Sequence, residues 1–369
     1  MKALIIVGTR PNFMKAAPLL TAFKERLIET RLVHTRQHPG DRMSGAFFRE
    51  FGMENETILL PTSSTIIGAA RLGMTIRHLV PEIEKRKPDW VVVVGDVNAA
   101  LAGAIAAKHC KCLLAHVEAG LRSRDKDMPE EINRIMIDSV SDVLFCTEKA
   151  AVANLLQEGR ALTDIFRVGN VMIDCMIAYI AKRRPPGPKV SKIVKSLTGT
   201  TQGFAYLTLH RPSNVDNRGI LKRIVSIIAE FSQDYPVIFP VHPRTRQRID
   251  QFGLKLPETV IQLQPLGYGD SLHVLKHCRL VLTDSGGLQE ESTFLKIPCV
   301  TIRENTERPV TVIEGTNKLA GTSEVGIRGA IQWAIRQRPG MSRAKIPEFW
   351  DGYASTRIAD ILIRERGRR

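Results

Sequence analysis

Short runs of Val, Ile and Leu alternate with longer amphipathic stretches along the whole chain, and no other feature constrains its fold so tightly. A short, continuous apolar run belongs to a strand buried on both faces, which is typically a parallel strand joined to the next by a crossover helix. In the first half such runs fall at Ala3–Val7, Arg31–Thr35, Trp90–Val94, Cys112–His116 and Val143–Cys146. In the second they fall at Ala205–Leu209, Val237–Val241, Ile261–Leu263, Leu280–Thr283 and Pro298–Ile302. The spacing predicts two doubly wound α/β domains in tandem. Between them Pro185, Pro186 and Pro188 interrupt a basic segment, and residues 182–192 read as a linker. The expected organisation is residues 1–181, the linker, residues 193–350, and an amphipathic helix within 351–369 that packs back on the first domain. Ligands of open α/β sheets sit beyond the carboxyl ends of the strands, so a cleft facing both domains is expected.

The 369 residues are 43% hydrophobic and 25% charged, which excludes a disordered or fibrous chain. Less ordinary are 53 basic against 38 acidic residues, a formal charge of +15 that points to an anionic partner. Nucleic acid is disfavoured: no nucleic-acid motif occurs, the cations are dispersed, and only five tyrosines and three tryptophans are present for stacking. A membrane partner is not expected either, because the longest apolar stretch, Ala99–Ala107, stops at Lys108. The opening run ends at Gly8, short of a signal peptide. Six cysteines show no C-x-x-C pair or zinc-like histidine spacing, so thiols in a reducing cytoplasm are expected, with no metal and no cofactor.

Two strand-to-helix junctions suit an anion. Gly8-Thr9-Arg10-Pro11-Asn12-Phe13 follows the first strand; Pro11 suits a first helical turn, which leaves free N–H groups beside Arg10, with Lys15 one turn on. Thr283-Asp284-Ser285-Gly286-Gly287 follows a later strand, and its paired glycines let a ligand approach backbone donors, with Glu291 one turn in. Plain turns with solvated cations and an Asp284 or Ser285 N-cap are the structural alternatives. Neither loop matches a Walker lysine motif or G-x-G-x-x-G. His210, Arg211, His242, Arg244, Arg303 and Arg308 also follow strands, and together they suggest a shared anion pocket.

Carboxylates accompany these cations. Asp96 follows the Val91–Val94 run, and Glu118 follows His116-Val117. Glu130 lies in Asp127-Met128-Pro129-Glu130-Glu131-Ile132-Asn133-Arg134. On spacing alone Glu130 is better read as a structural residue, in a capping box with Asp127 and an i,i+4 pair with Arg134. Asp96 as a helix cap and Glu118 as a partner of Arg122 remain alternatives. Together, carboxylates opposite cations suggest acid/base chemistry on a group attached to a diphosphate.

The motifs G-T-R-P-N-F from Gly8, V-V-G-D from Val93, H-V-E-A-G-L-R from His116, M-P-E-E-I-N-R from Met128, V-G-N-V-M-I-D from Val168, L-T-L-H-R-P from Leu207, P-V-H-P-R-T-R from Pro240, L-T-D-S-G-G-L-Q-E-E from Leu282 and R-E-N-T-E-R-P-V from Arg303 are spread in order along nearly the whole chain. In these it resembles the non-hydrolysing UDP-N-acetylglucosamine 2-epimerases. The resemblance implies a GT-B architecture, two doubly wound Rossmann-like domains facing a central cleft, a homodimer, and interconversion of UDP-GlcNAc and UDP-ManNAc for surface polysaccharides. It assigns Asp96, Glu118, Glu130 and His210 to catalysis. Arg10, Lys15, His210, Ser285, Gly286 and Gly287 would contact the substrate, as would Glu291, Arg308, Leu266, Ser271 and the carboxylates Asp96 and Glu118. Gln37 and His242 would belong to a second, regulatory nucleotide-sugar site. Ser271 stands where relatives carry an aromatic near uracil, and Pro39 and Arg124 also replace aromatics. Alternatives are a 2-epimerase of a UDP-2,3-diacetamido sugar or its uronate, a hydrolysing variant that releases ManNAc, and a glycosyltransferase of the same architecture.

Overall fold

The apolar runs fold as strands enclosed on both faces; in Trp90–Val94 all five residues are buried. The computed structural model describes residues 1–36, 48, 50–61, 68–199, 202–337 and 344–367. Strands β1 (Lys2–Val7), β2 (Glu29–His34), β3 (Thr57–Leu59), β4 (Trp90–Val94), β5 (Leu113–Ala119), β6 (Val143–Cys146) and β7 (Ile165–Arg167) form one parallel sheet. Its order is β3-β2-β1-β4-β5-β6-β7. A second parallel sheet contains β8 (Ala205–Thr208), β9 (Val237–Pro240), β10 (Val260–Leu263), β11 (Leu280–Thr283), β12 (Cys299–Thr301) and β13 (Asn317–Leu319). Its order is β10-β9-β8-β11-β12-β13. The connections reverse direction between β1 and β4 and between β8 and β11, so each sheet has a topological switch point.

Helices pack on the sheets through small residues. Helix Asn98–His109 is rich in alanine, and a Cβ on its Gly103 would lie 2.9 Å from Val93 Cγ1 and 3.0 Å from Ile6 Cγ1. Glycine is what lets this backbone approach β1 and β4.

Three strands not expected from sequence, β3, β7 and β13, each have three residues and lie at sheet edges. They are too short for a periodic signal. Strand β5 also runs further than expected, through Glu118 to Ala119, with a register shift against β6 between Val117 and Ala119. Glu118 has φ 74°, in the left-handed region.

The chain divides into two units, Met1–Ala178 with Glu348–Arg369, and Tyr179–Pro347. The expected linker over 182–192 is corrected in part: residues from Pro188 onward are helix, in Pro188–Thr198. Proline in the first helical turn has no N–H to leave unsatisfied there. The preceding turn is also tied down, because Gly187 N donates to Asp270 Oδ1 at 2.7 Å and Tyr179 packs edge-on against Tyr268 with centroids 5.1 Å apart. In the first unit helix Ala354–Arg366 packs against helix Arg10–Glu25. Its first turn donates to buried Asp174, from Ala354 N at 3.2 Å and Ser355 N at 2.7 Å, and Trp90 Nε1 donates to the Leu362 carbonyl at 3.1 Å. Among the described residues no helix is long and apolar enough to cross a membrane.

Candidate active site

In the first unit the motif residues gather at the carboxyl ends of β1, β4 and β5, around the switch point. Asn12 Oδ1 accepts from Gly8 N at 3.2 Å and Thr9 N at 3.1 Å, while its Nδ2 donates to the Val94 carbonyl at 3.0 Å. That stitches the first junction to β4 and aims Lys15 at the end of β5. Lys15 and Glu118, both buried, form an ion pair. A Cβ on Gly95 would lie 3.2 Å from Glu118 Oε2 and 3.5 Å from Lys15 Nζ, so the turn carrying Asp96 passes directly beside this pair.

Helix Pro129–Val140 supplies the other partners. Arg134 binds Asp96 Oδ2 at 2.8–2.9 Å and also pairs with Glu131; Asn133 Nδ2 donates to the Asp96 carbonyl at 2.8 Å. Glu131 accepts from Ser123 N at 2.8 Å and Arg124 N at 2.9 Å, which holds the loop after β5. The structural alternatives that the sequence offered for Glu130, Glu118 and Asp96 are thereby corrected. Met128 and not Asp127 is the N-cap, so no capping box forms with Glu130. Arg134 pairs with Glu131 at i,i+3 and with Asp96, leaving Glu130 half-buried with no partner among the described residues. Arg122 pairs with Asp138 and Glu158, not with Glu118. Asp96 does not cap either; Val97 is the N-cap of the next helix.

In the second unit the switch point lies between β8 and β11, whose Thr208 and Thr283 hydroxyls are 2.6 Å apart. Asp284, fully buried, accepts from His210 N at 3.0 Å and Arg211 N at 2.9 Å, and His210 Nδ1 stands 3.0 Å from its Oδ1. Burial pushes the Asp284 carboxyl upward, but the His210 charge and these donors outweigh it and hold it below the usual range. Ser285 is the N-cap of helix Gly286–Phe294, yet its side chain makes no capping bond. A Cβ on Gly286 would lie 2.8 Å from Arg308 Nη1. The glycine therefore lets a guanidinium reach the helix N-terminus. Two positive ends in contact repel each other, and an anion between them removes the conflict.

Arg308 is held from behind by Glu290 at 2.7 Å and Glu307 at 3.6 Å. Glu307 also takes Arg303 through both oxygens, at 2.8 and 2.9 Å, and Arg211 at 3.3 Å. Burial raises the Glu307 carboxyl, and three arginines override this and hold it well below its ordinary range. The shared pocket of six cations is narrowed accordingly: Arg303 is committed to Glu307, and Arg244 to Asp216.

A family model described as UDP-N-acetylglucosamine 2-epimerase matches residues 21–363. The UDP-N-acetylglucosamine 2-epimerase of Methanocaldococcus jannaschii is 39% identical over 372 residues, covering 98% of this chain and 99% of that protein. The chain belongs to the UDP-N-acetylglucosamine 2-epimerase family. The UDP-2,3-diacetamido-2,3-dideoxy-D-glucuronate 2-epimerase of Pseudomonas aeruginosa is also 39% identical, over 99% of this chain and 100% of that one. The crystal structure of the M. jannaschii UDP-GlcNAc 2-epimerase in complex with UDP-GlcNAc and UDP superposes with a TM-score of 0.88, at 39% identity, over 99% of this chain and 100% of that one. The two doubly wound α/β units are those of a GT-B epimerase.

The remaining expected positions of the epimerase family fall as follows. Gly287 and buried Glu291 lie in helix Gly286–Phe294. Leu266 lies in the loop after β10, and the Ser271 hydroxyl, one turn into helix Tyr268–His277, is 2.7 Å from the Tyr206 hydroxyl. His242 caps helix Pro243–Gln251, with Nδ1 accepting from Arg244 N at 3.2 Å. Burial and then His210, with ring centroids 5.8 Å away, hold His242 below its ordinary range. Gln37 and Pro39, and the side chain of Arg10, lie outside the described residues. Among the described residues no group of three or more His, Cys, Asp or Glu is placed to hold a metal ion. Sequence reasoning missed Asn12, Glu131 and Glu307, whose partners are mostly remote in sequence or in the backbone. The motif strings that contain them were the available signal.

Proposed function

We propose that this chain inverts C2 of UDP-N-acetylglucosamine to give UDP-N-acetylmannosamine. The observation that carries the reading is the state of the three motif carboxylates: Asp96 and Glu118 are fixed by Arg134 and Lys15, while Glu130 has no partner among the described residues. The C2 proton is not acidic, since no carbonyl adjoins it, so the bond from C1 to UDP loosens first. Arg10, His210, Arg308 and the Ser285–Gly287 helix start stabilise the departing diphosphate. A carboxylate then takes the C2 proton as positive character develops at C1, which leaves a glycal and UDP. Proton delivery to the opposite face and return of UDP complete the inversion, so two faces of C2 must be served. No redox cofactor enters this balance. A UDP-sugar made this way supplies surface polysaccharide synthesis, and the cytoplasm is the proposed compartment, in keeping with six free thiols.

A second substrate is favoured by one observation, the equal identity to the P. aeruginosa diacetamido uronate epimerase. Incubation in deuterated water, followed by NMR, separates the readings. UDP-GlcNAc is expected to yield UDP-ManNAc carrying deuterium at C2. Turnover of only the diacetamido uronate moves the assignment to that sugar, free ManNAc indicates hydrolysis, and no turnover of any UDP-HexNAc overturns it.

We also propose a homodimer. Helix Pro129–Val140 exposes Ile132, Ile135, Met136 and Val140, with no charged residue on that face. In a chain of net charge +15 an uncharged apolar face lets a second copy dock without local repulsion. Native mass spectrometry is expected to show a dimer for the parent and a monomer for Met136→Glu. A monomeric parent at micromolar concentration sinks the proposal.

A further inference from the structure

One turn beyond Arg134 on the same helix stands Asp138, 1% exposed. Its Oδ1 accepts from His116 Nδ1 at 2.6 Å, and its Oδ2 accepts from Gly120 N at 3.1 Å and pairs with Arg122 at 2.7 Å. His116, with no exposure at all, donates from Nε2 to the Gly95 carbonyl at 2.9 Å.

The groups tied in this way are the immediate neighbours of the carboxylates assigned to chemistry. Gly95 precedes Asp96, while His116 and Gly120 flank Glu118 two residues to either side. The backbone is left-handed at Gly95 (φ 67°), Glu118 (φ 74°) and Gly120 (φ 77°). For a glutamate that conformation costs about 1–3 kcal/mol and persists only where the surroundings over-determine it. Asp138 and His116 supply that constraint. Burial alone would push the Asp138 carboxyl up, and His116 with Arg122 bring it below the usual range, so the anchor is an anion. Arg122 does not depend on Asp138 for balance, since Glu158 takes it at 2.6 Å. What Asp138 alone provides is the hold on His116 and Gly120.

We propose that the buried Asp138–His116 pair is a positioning device for Asp96 and Glu118, fixing the left-handed turns that set the spacing of their carboxylates. The inference rests on the epimerase reading above, because it concerns the same carboxylates. Neither residue touches the substrate; each acts through the backbone it holds.

Asp138→Asn keeps the shape, removes the charge and turns an amide toward the donors Gly120 N and Arg122. Its kcat for UDP-GlcNAc is expected to fall about 100-fold, the loss that follows a displacement of about 1 Å. KM and the Kd for UDP are expected to stay within about twofold, because the interactions lost are made only in the transition state. Glu158→Gln loosens Arg122 alone and is expected to keep kcat within about threefold, as a half-exposed ion pair contributes little. His116→Gln, which retains a donor toward one partner only, gives a second reading of the same quantity. A folded Asp138→Asn or His116→Gln protein with parental kcat overturns the proposal, as does UDP affinity falling in step with kcat. If neither variant folds, the pair is a scaffold of the whole unit and the positioning role falls. A parent that exchanges no C2 hydrogen overturns the epimerase reading itself, whereas an active parent with unaffected variants overturns only the positioning role.

Discussion

Glu130→Gln is expected to lower kcat for UDP-GlcNAc by about 100- to 10,000-fold, the range for removing a general acid or base. UDP binding should survive, since the diphosphate contacts come from other residues. Thermal stability should hardly move: Glu130 has no partner among the described residues, and its one structural service is a negative charge in a first helical turn, which contributes about 0.3–1 kcal/mol. This separation makes Glu130 a cleaner probe than Glu118, whose replacement by glutamine also strips buried Lys15 of its counter-charge. Steady-state kinetics, UDP calorimetry and a melting curve on one preparation decide the matter. A folded Glu130→Gln enzyme that keeps kcat within tenfold of the parent removes Glu130 from the chemistry.

The largest stability effect is expected at Glu307. Deleting its carboxylate with Glu307→Ala leaves Arg303 and Arg308 buried, and Arg211 part-buried, with one acid fewer among them. Breaking a buried ion pair from one side costs about 3–5 kcal/mol, and urea unfolding of the variant should show a loss of that order. UDP affinity should drop as well, because Arg308 loses part of its hold beside the helix start at Gly286. The same group sets a pH dependence. Glu307 is held below its ordinary value of 4.5, so the unfolded chain takes up the proton first as pH falls. Its contribution is complete above the ordinary carboxylate range and is lost as pH drops through the folded value; Asp284 and Asp138 act in the same direction. Glu307→Gln should flatten the acid limb of the stability curve, and an unchanged limb would remove Glu307 as its source.

The doubly wound architecture was legible because its central strands are apolar on both faces; Trp90–Val94 and Leu280–Thr283 have the bounds their residues suggest. The three-residue edge strands carry no such pattern. The junctions after β1 and β11 were legible through proline and glycine placement, which is a local matter. Local spacing was a poor guide to ion pairs. It joined Glu130 to Arg134, whereas the fold offers Arg134 a better arrangement with Asp96 from another loop and with Glu131 one residue along. Likewise Arg122 lies close to Glu118 in sequence, but β5 turns left-handed at Glu118, and Arg122 is taken by Asp138 and Glu158. Where the acid an arginine takes sits in a distant loop, as Asp96 does for Arg134 and Glu158 for Arg122, a window of a few residues does not contain it.

Helix Pro129–Val140 is built inside out: apart from Ile137, its buried face is Glu131, Asn133, Arg134 and Asp138, and its exposed face is, apart from Ser139, apolar. Hydrophobic collapse acting alone would seat this helix rotated half a turn about its axis, with Ile132 and Met136 inward. Its correct seating therefore waits for acceptors and donors that exist only once the Asp96 turn and the Ser123–Arg124 loop have formed. This is a local preference at odds with the global fold, and such conflicts slow folding. They also tend to survive only where function needs them. The helix is thus expected among the last elements to lock during folding, and the carboxylates it serves should acquire their arrangement at the end of the process.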